Sequence, residues 1–162
     1  MAKIDYPYLP EDREIMYVAA DNPFMREARE YARQNALDDT QKIGAVVVKN
    51  GEVIGRGANG SDYHKTHECE RVKRGIPTGE QYELCEGCHP KNHSEPRAIA
   101  DAKKNDHDPQ GADLYLWGHW WACEPCWNAM IAAGIKNVYM MEGSEKLFNK
   151  NHPDNLLGRQ FA

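Results

Sequence analysis

Two short motifs with metal-binding side chains stand where two predicted helices begin. His93–Glu95 precedes a helical pattern over 96–104, and Cys123–Cys126 opens another over 123–133. A helix N-terminus carries the positive end of the helix dipole, which favours a thiolate over a thiol. Two thiolates and one imidazole supply three ligands of a tetrahedral zinc and leave the fourth position for water. We therefore predict a catalytic zinc ion whose ligands are His93, Cys123 and Cys126.

Glu95 is the candidate for proton transfer at this site. It follows His93 by two positions, so it can lie over a zinc-bound water without being a ligand itself. Zinc lowers the pKa of such a water, and a neighbouring carboxylate can take its proton and pass it to a leaving group. The alternative is a zinc-stabilised binding module without enzymatic activity. A purely structural site normally closes with a fourth Cys or His and does not need this carboxylate.

The sequence predicts one α/β domain over 1–162, because no change in composition marks a linker between domains. The proline-rich first dozen residues indicate an extended arm, and Asn22 with Pro23 marks the start of a helix. Strands alternate with helices after the first hairpin, which predicts parallel pairing in the second half of the domain. Apolar and β-branched runs predict strands over 43–48, 52–57, 112–117 and 137–141.

The two motifs also resemble those of a known superfamily. His93–Ile99 and Ala122–Cys126 are similar to the H-x-E and P-C-x-x-C signatures of the cytidine/deoxycytidylate deaminases, and the similarity extends over about 22–141. The resemblance implies a three-layer α/β/α cytidine-deaminase-like fold with a mixed central sheet of about five strands. It also implies zinc-dependent hydrolytic deamination, in which a zinc-bound hydroxide attacks C4 of the base and Glu95 carries a proton to ammonia.

A further similarity concerns the substrate. Ala58–Gly60 resembles the G-Y-N-G segment of deoxycytidylate deaminases, which implies that Asn59 contacts the ribose or deoxyribose. The resemblance also implies that the backbone N–H of Ser94 donates to the base carbonyl. The family usually has Ala in place of Ser94 and Pro in place of Ala122, but neither residue is a zinc ligand. The expected reaction is the conversion of dCMP to dUMP and ammonia.

Other substrates are open at this stage, because the same metal site serves free bases and nucleosides such as cytidine, cytosine and guanine. A tRNA or single-stranded DNA substrate is less favoured. The formal net charge is −5, whereas polyphosphate binding usually needs a basic face. We therefore expect a small-molecule nucleotide substrate and no nucleic-acid partner.

A Cys- and His-rich insert at about 61–92 has no hydrophobic pattern of its own. A loop of this length in a compact domain is usually functional or is held by something other than a core. A closed Cys₃His site would hold it, so we predict a second, structural zinc ion; His64 or His89 could replace the imidazole ligand. The alternative is a loop with reduced thiols. The predicted ligands are His67, Cys69, Cys85 and Cys88.

The sequence also suggests where the protein acts and with what partners. The N-terminus lacks the apolar stretch of a signal peptide, and no segment approaches the length of a membrane span. Five cysteines in such a chain point to metal binding or catalysis, and we expect a cytoplasmic protein without a membrane partner. The resemblance implies a homo-oligomer, a dimer or a hexamer.

The Trp117–Trp121 segment allows two interpretations. Its indole rings could stack on a base, although packing in the protein interior is the more common role of Trp. His119, within the same segment, could face the pocket or lie on a surface loop.

Overall fold

A five-stranded mixed sheet separates two helical layers in the protein. The structure, a computed structural model, describes residues 4–38, 40–61, 63, 67–77, 80–85 and 89–161. The strands are β1 (Ile15–Val18), β2 (Gly44–Lys49), β3 (Glu52–Ala58), β4 (Asp113–Trp117) and β5 (Asn137–Met141). The helices are α1 (Pro23–Asn35), α2 (Glu70–Lys73), α3 (Ser94–Lys104), α4 (Glu124–Ala132) and α5 (Ser144–Leu147), with 3₁₀ turns at Tyr82–Leu84 and Pro90–Asn92.

The strand order in the sheet is β1-β5-β4-β2-β3. β5 is parallel to both β1 and β4, whereas β2 is antiparallel to β4 and to β3. The parallel pairing expected in the second half of the chain is thereby confirmed. β4 and β5 end on the same side of the sheet, because parallel strands present their carboxyl ends at one edge.

Alternation along β2 assigns the two faces of the sheet. Val46 and Val48 are buried in a cluster with Met25, Ala28 and other residues on the α1 side. Ala45 and Val47 belong to the opposite cluster, which contains the buried residues of α3 and α4. Helices on both faces of one sheet make the three-layer α/β/α architecture that was expected.

The start of α1 confirms the predicted N-cap. Oδ1 of Asn22 accepts hydrogen bonds from the backbone N–H groups of Phe24 (3.0 Å) and Met25 (3.2 Å). These are two of the N–H groups that have no partner within a helix, so the cap stabilises the helix start by about 1 kcal/mol.

The α3 helix lies unusually close to β3. A Cβ atom at Gly55 would stand 2.2 Å from the carbonyl oxygen of Ala98 and 2.8 Å from the backbone nitrogen of Ala102. Glycine on the strand and alanine on the helix therefore allow the two backbones to approach. This close packing positions the start of α3, where the candidate metal ligand His93 stands.

β1 is the strand that the sequence pattern did not predict. It has only four residues, preceded by the arm that the first dozen residues were expected to form. Its pairing partner is β5, with Ile15 opposite Val138. A short run of this kind carries little alternation, and its strand conformation depends on a partner near the other end of the chain.

Within the described ranges, no helix is both long and apolar enough to cross a bilayer.

Candidate metal centre and active site

His93, Cys123 and Cys126 converge at the starts of α3 and α4. Nδ1 of His93 lies 3.1 Å from Sγ of Cys126 and 3.5 Å from Sγ of Cys123, and the two sulfur atoms are 3.1 Å apart. A tetrahedral zinc ion bound by two sulfurs and one nitrogen holds these atoms roughly 3.5 Å apart. Small movements of three side chains therefore suffice to bind the ion, and the donor set fits zinc.

The candidate ligands stand at helix starts that their side chains do not cap. His93 is the N-cap residue of α3 and Cys123 is the N-cap residue of α4, both in extended conformation. Neither side chain caps the backbone of its own helix. Cys126 lies in the first turn of α4, and both thiols are buried. The helix starts thus direct three metal-binding atoms into one place, as the motifs predicted.

The two thiols differ in acidity. The hydrogen bond with Cys126 is the largest cause that lowers the pKa of the Cys123 thiol, to about 6, and burial acts in the opposite direction. The same hydrogen bond, followed by burial, raises the pKa of the Cys126 thiol. The hydrogen bond between the two sulfur atoms therefore favours the thiolate at Cys123 and leaves the proton on Cys126. A bound cation would release that second proton, since metal binding and deprotonation are coupled.

Glu95 is buried beside these ligands, with 5% of its surface exposed. After the Cys123 hydrogen bond and burial, the charge of Glu95 and a hydrogen bond that the thiol donates to its carboxylate also raise the pKa of Cys126, which places the carboxylate next to the thiol. The hydroxyl of Ser94 donates to Oε1 of Glu95 at 2.7 Å. The carboxylate is thereby held beside the candidate metal ligands.

His119 also lies at this site. Its pKa is lowered from 6.5 to about 4, chiefly by burial, while the charge of Glu95 acts in the opposite direction and His93 lowers it further. The imidazole is therefore neutral and close to both residues. Of the two positions open from the sequence, the structure favours one near the candidate metal ligands over one on an isolated surface loop.

The insert packs against the metal centre through Tyr82. The edge of the Tyr82 ring meets the His93 ring at a centroid distance of 4.8 Å and an interplanar angle of 87°. The Arg71 guanidinium lies 4.4 Å from the Tyr82 ring centroid and donates to the carbonyl oxygens of Pro77 and Glu80. The burial of Arg71 was not expected from the sequence, because its acceptors are backbone atoms of an irregular loop.

Asn59 is buried at the end of β3, and its side chain contacts backbone atoms. Its Oδ1 accepts from the N–H of Ile43 and its Nδ2 donates to the carbonyl oxygen of Gln41, each at 2.8 Å. These bonds tie the end of β3 to the segment that enters β2. The contact between Asn59 and a sugar stays a prediction, as does the contact between the Ser94 backbone N–H and the base.

The structure describes three of the four predicted ligands of the second zinc ion. Cys85 is fully buried, Cys69 precedes α2, and His67 is exposed with its ring stacked on Tyr63 at 4.3 Å. Cys88 and the substitute His64 lie outside the described residues. Among the residues that are described, His93, Cys123 and Cys126 form the only cluster of three such donors close enough to share an ion. The second zinc therefore stays a prediction.

The tryptophans of the 117–121 segment pack within the protein. Trp117 is buried on the α1 side against Phe148, and Trp121 is buried in the opposite core. Trp120 stacks on Tyr6 of the N-terminal arm at a centroid distance of 6.3 Å. Packing is thus the role that the structure gives to these rings.

Comparison with known proteins places the chain in a family. The family model for the cytidine and deoxycytidylate deaminase zinc-binding region matches residues 18–142. A search of curated protein sequences found no match. Among solved structures, the chain is similar to the dCMP deaminase of cyanophage S-TIM5 in complex with dCMP and dUMP (25% identity over 73% of this chain and 79% of that one, TM-score 0.47).

A second similar structure is the diaminohydroxyphosphoribosylaminopyrimidine deaminase/5-amino-6-(5-phosphoribosylamino)uracil reductase of Thermotoga maritima (25% identity over 74% of this chain, TM-score 0.44). The chain spans 29% of the length of that protein. The family model covers most of the chain and includes both helix starts that carry the metal-binding side chains. The protein therefore belongs to the family of cytidine and deoxycytidylate deaminases that share this zinc-binding region.

Proposed function

We propose that the protein removes the amino group of a cytosine nucleotide by hydrolysis. The expected reaction converts dCMP to dUMP and ammonia. The observation that carries this proposal is the buried carboxylate of Glu95 beside the three donors His93, Cys123 and Cys126. Three donors fit a zinc ion with a vacant position for a reactant, and a carboxylate next to that position can move protons.

A zinc ion bound by these residues would supply a Lewis acid that lowers the pKa of water toward neutrality. In the proposed reaction Glu95 accepts a proton from the attacking water and returns it to the departing amino group. The water oxygen forms the new bond to carbon, the carbon–nitrogen bond breaks, and the nitrogen leaves as ammonia. Ser94, which donates to Oε1, holds the carboxylate in place during this transfer.

The choice of a cytosine nucleotide is supported by the family and by the sequence around Asn59. The net charge of −5 also favours a small substrate over a nucleic acid, because nucleic-acid binding usually requires a basic surface. A free base or nucleoside, such as cytidine, cytosine or guanine, would use the same metal site. These compounds are therefore alternative outcomes of one experiment.

The experiment is an ammonia-release screen of the zinc-loaded protein with dCMP, CMP, dCTP, cytidine, cytosine, guanine, tRNA and single-stranded DNA. We expect dCMP to give the highest kcat/KM. Glu95→Gln should lower kcat by about 10³-fold or more and keep its zinc, because it removes the proton carrier and no ligand. If the wild-type protein releases no ammonia from any compound, the proposal fails and a zinc-stabilised binding module takes its place.

The assembly state is a separate part of the proposal. Related enzymes are expected to be oligomeric, and we propose a homo-oligomer, either a dimer or a hexamer, in the cytoplasm. Sedimentation velocity of the zinc-loaded protein would measure the mass directly, and a monomer at all concentrations would contradict the expectation.

A further inference from the structure

The loop between β4 and α4 has a fixed conformation at its start. Gly118 has a φ of +97°, and a Cβ atom there would lie 2.2 Å from the carbonyl oxygen of Lys42. The Gln41 side-chain amide donates to the carbonyl oxygen of Gly118 at 2.9 Å. Only glycine suits both the backbone conformation and the space. The residue that follows, His119, is therefore attached to a well-defined backbone.

The His119 ring has one hydrogen-bonded nitrogen. Nδ1 accepts from the backbone N–H of Trp120 at 2.9 Å and from that of Trp121 at 3.2 Å. An imidazole nitrogen that accepts from N–H groups carries no proton, so a neutral ring has its hydrogen on Nε2. The loop backbone thus selects one tautomer, in which Nε2 is a hydrogen-bond donor.

Nε2 of His119 is open to solvent and to a hydrogen-bond acceptor. In the described part of the chain this atom makes no hydrogen bond, and it is not among the polar side-chain atoms that are sealed from solvent without a partner. The residue itself is half-buried, and the charges of Glu95 and His93 both act on its ring. A donor open to solvent therefore stands within reach of the charges of the carboxylate and of one candidate metal ligand.

We propose that His119 binds the substrate by donating a hydrogen bond from Nε2 to an uncharged acceptor atom of the base, a carbonyl oxygen or a ring nitrogen. This inference rests on the proposed function, because the base must approach Glu95 for its amino group to be replaced. A phosphate would call for a cationic partner, whereas an imidazole whose Nδ1 accepts from two N–H groups carries no charge. An uncharged acceptor of the base is the matching group.

Two substitutions separate this role from a role in holding the loop. In His119→Asn, Oδ1 stands near the position of Nδ1 and can still accept from Trp120 and Trp121, but no donor reaches the position of Nε2. In His119→Gln, the side-chain amide can place an N–H near the position of Nε2, although the acceptor for the loop is lost. The pair thus removes the two hydrogen-bonding functions of the imidazole one at a time.

The measurement uses the compound that the wild-type protein deaminates best. We expect His119→Asn to lower kcat/KM by ~10–100-fold while zinc content and the unfolding midpoint in urea stay at wild-type values, and His119→Gln to recover part of the loss. Binding measured in the Glu95→Gln background, which does not turn over, should weaken by about ten-fold with His119→Asn.

The inference fails if His119→Asn keeps wild-type kcat/KM and affinity. It also fails if His119→Gln is the more impaired of the two, since the loop contacts of Nδ1 would then be what matters. Loss of zinc or of folded protein in both variants would equally assign His119 a structural role. These outcomes differ from failure of the proposed function, in which the wild-type protein itself deaminates none of the compounds.

Discussion

A Cβ atom at Gly57 would lie 2.3 Å from the main-chain carbonyl oxygen of Ser94. Gly57 is on β3 and Ser94 is the first residue of α3, so strand and helix touch at the place where the helix begins. His93 and Glu95 flank Ser94 directly in sequence. The absence of a side chain at one strand position therefore sets the location of His93, the candidate metal ligand, and of Glu95, the proposed proton carrier.

Gly57→Ala should push the start of α3 away from the sheet. Overpacking of this kind costs about 1–3 kcal/mol in the free energy of unfolding, and we also expect zinc affinity to fall by at least about ten-fold. Urea denaturation and a competition titration with a zinc chelator would measure the two effects. Gly44→Ala is the matched control, because its Cβ would lie 2.1 Å from the carbonyl oxygen of Ala28 in α1, on the other face of the sheet. It should lose stability with a much smaller loss of zinc affinity; equal zinc losses would contradict the assignment.

Ser94→Ala removes the hydroxyl that donates to Oε1 of Glu95. Hydrogen bonds to charged groups contribute about 1.5–3 kcal/mol, so a carboxylate without this donor should lower kcat by roughly ten-fold or more at unchanged zinc content. Steady-state kinetics with the best substrate would test this. Ser144→Ala removes another buried hydroxyl, one that donates to the carbonyl oxygen of Met141 at 2.6 Å, and should change stability without changing kcat. An unchanged kcat in Ser94→Ala would show that Glu95 needs no such support.

Cys88→Ser tests the second zinc ion. We expect this variant, and likewise Cys85→Ser, to lose one zinc ion per chain, as measured by atomic emission, while Glu95-dependent deamination persists in part. The stability should fall by a few kcal/mol, since a structural zinc contributes folding free energy directly. Cys126→Ser is the comparison, because it removes a predicted ligand of the other ion and should abolish activity. If Cys88→Ser keeps its full metal content, the prediction of a second zinc ion in the insert is wrong.

His119 gives the stability a dependence on pH. Its pKa is lowered from 6.5 to about 4 by burial, so the folded protein binds this proton less readily than the unfolded chain does. The contribution to stability is complete above the unfolded value and is lost as the pH falls from 6.5 towards 4. His119→Asn cannot titrate, so its free energy of unfolding should decline less than that of the wild type over this interval. Parallel curves from urea titrations between pH 7 and pH 5 would contradict the prediction.

The parts of the molecule that the sequence predicted correctly have local signals. Asn22 caps α1 through N–H groups two and three residues away, and Cys123 and Cys126 are brought together by one helical turn. His93 joins them because two helix starts lie at the same edge of the sheet, which the order of strands and helices implies.

The features that the sequence did not predict depend on contacts that no short pattern records. Arg71 is buried because two carbonyl oxygens of an irregular loop accept from it. The tautomer of His119 follows from the backbone N–H groups of the next two residues, which could be known only once the loop was folded. Asn59, which was expected at the sugar, has both ends of its amide bonded to backbone atoms, and the sequence pattern carried no sign of those bonds.

The pairing of β1 with β5 also has a consequence for the order in which the sheet can form. Ile15 stands opposite Val138, so the two strands are far apart in the chain, and His93, Cys123 and Cys126 all lie between them. Closing this pair costs more loop entropy than pairing β2 with β3, which a short turn connects. We therefore expect β1 to join late in folding, as the closing edge of a sheet whose other strands are already paired.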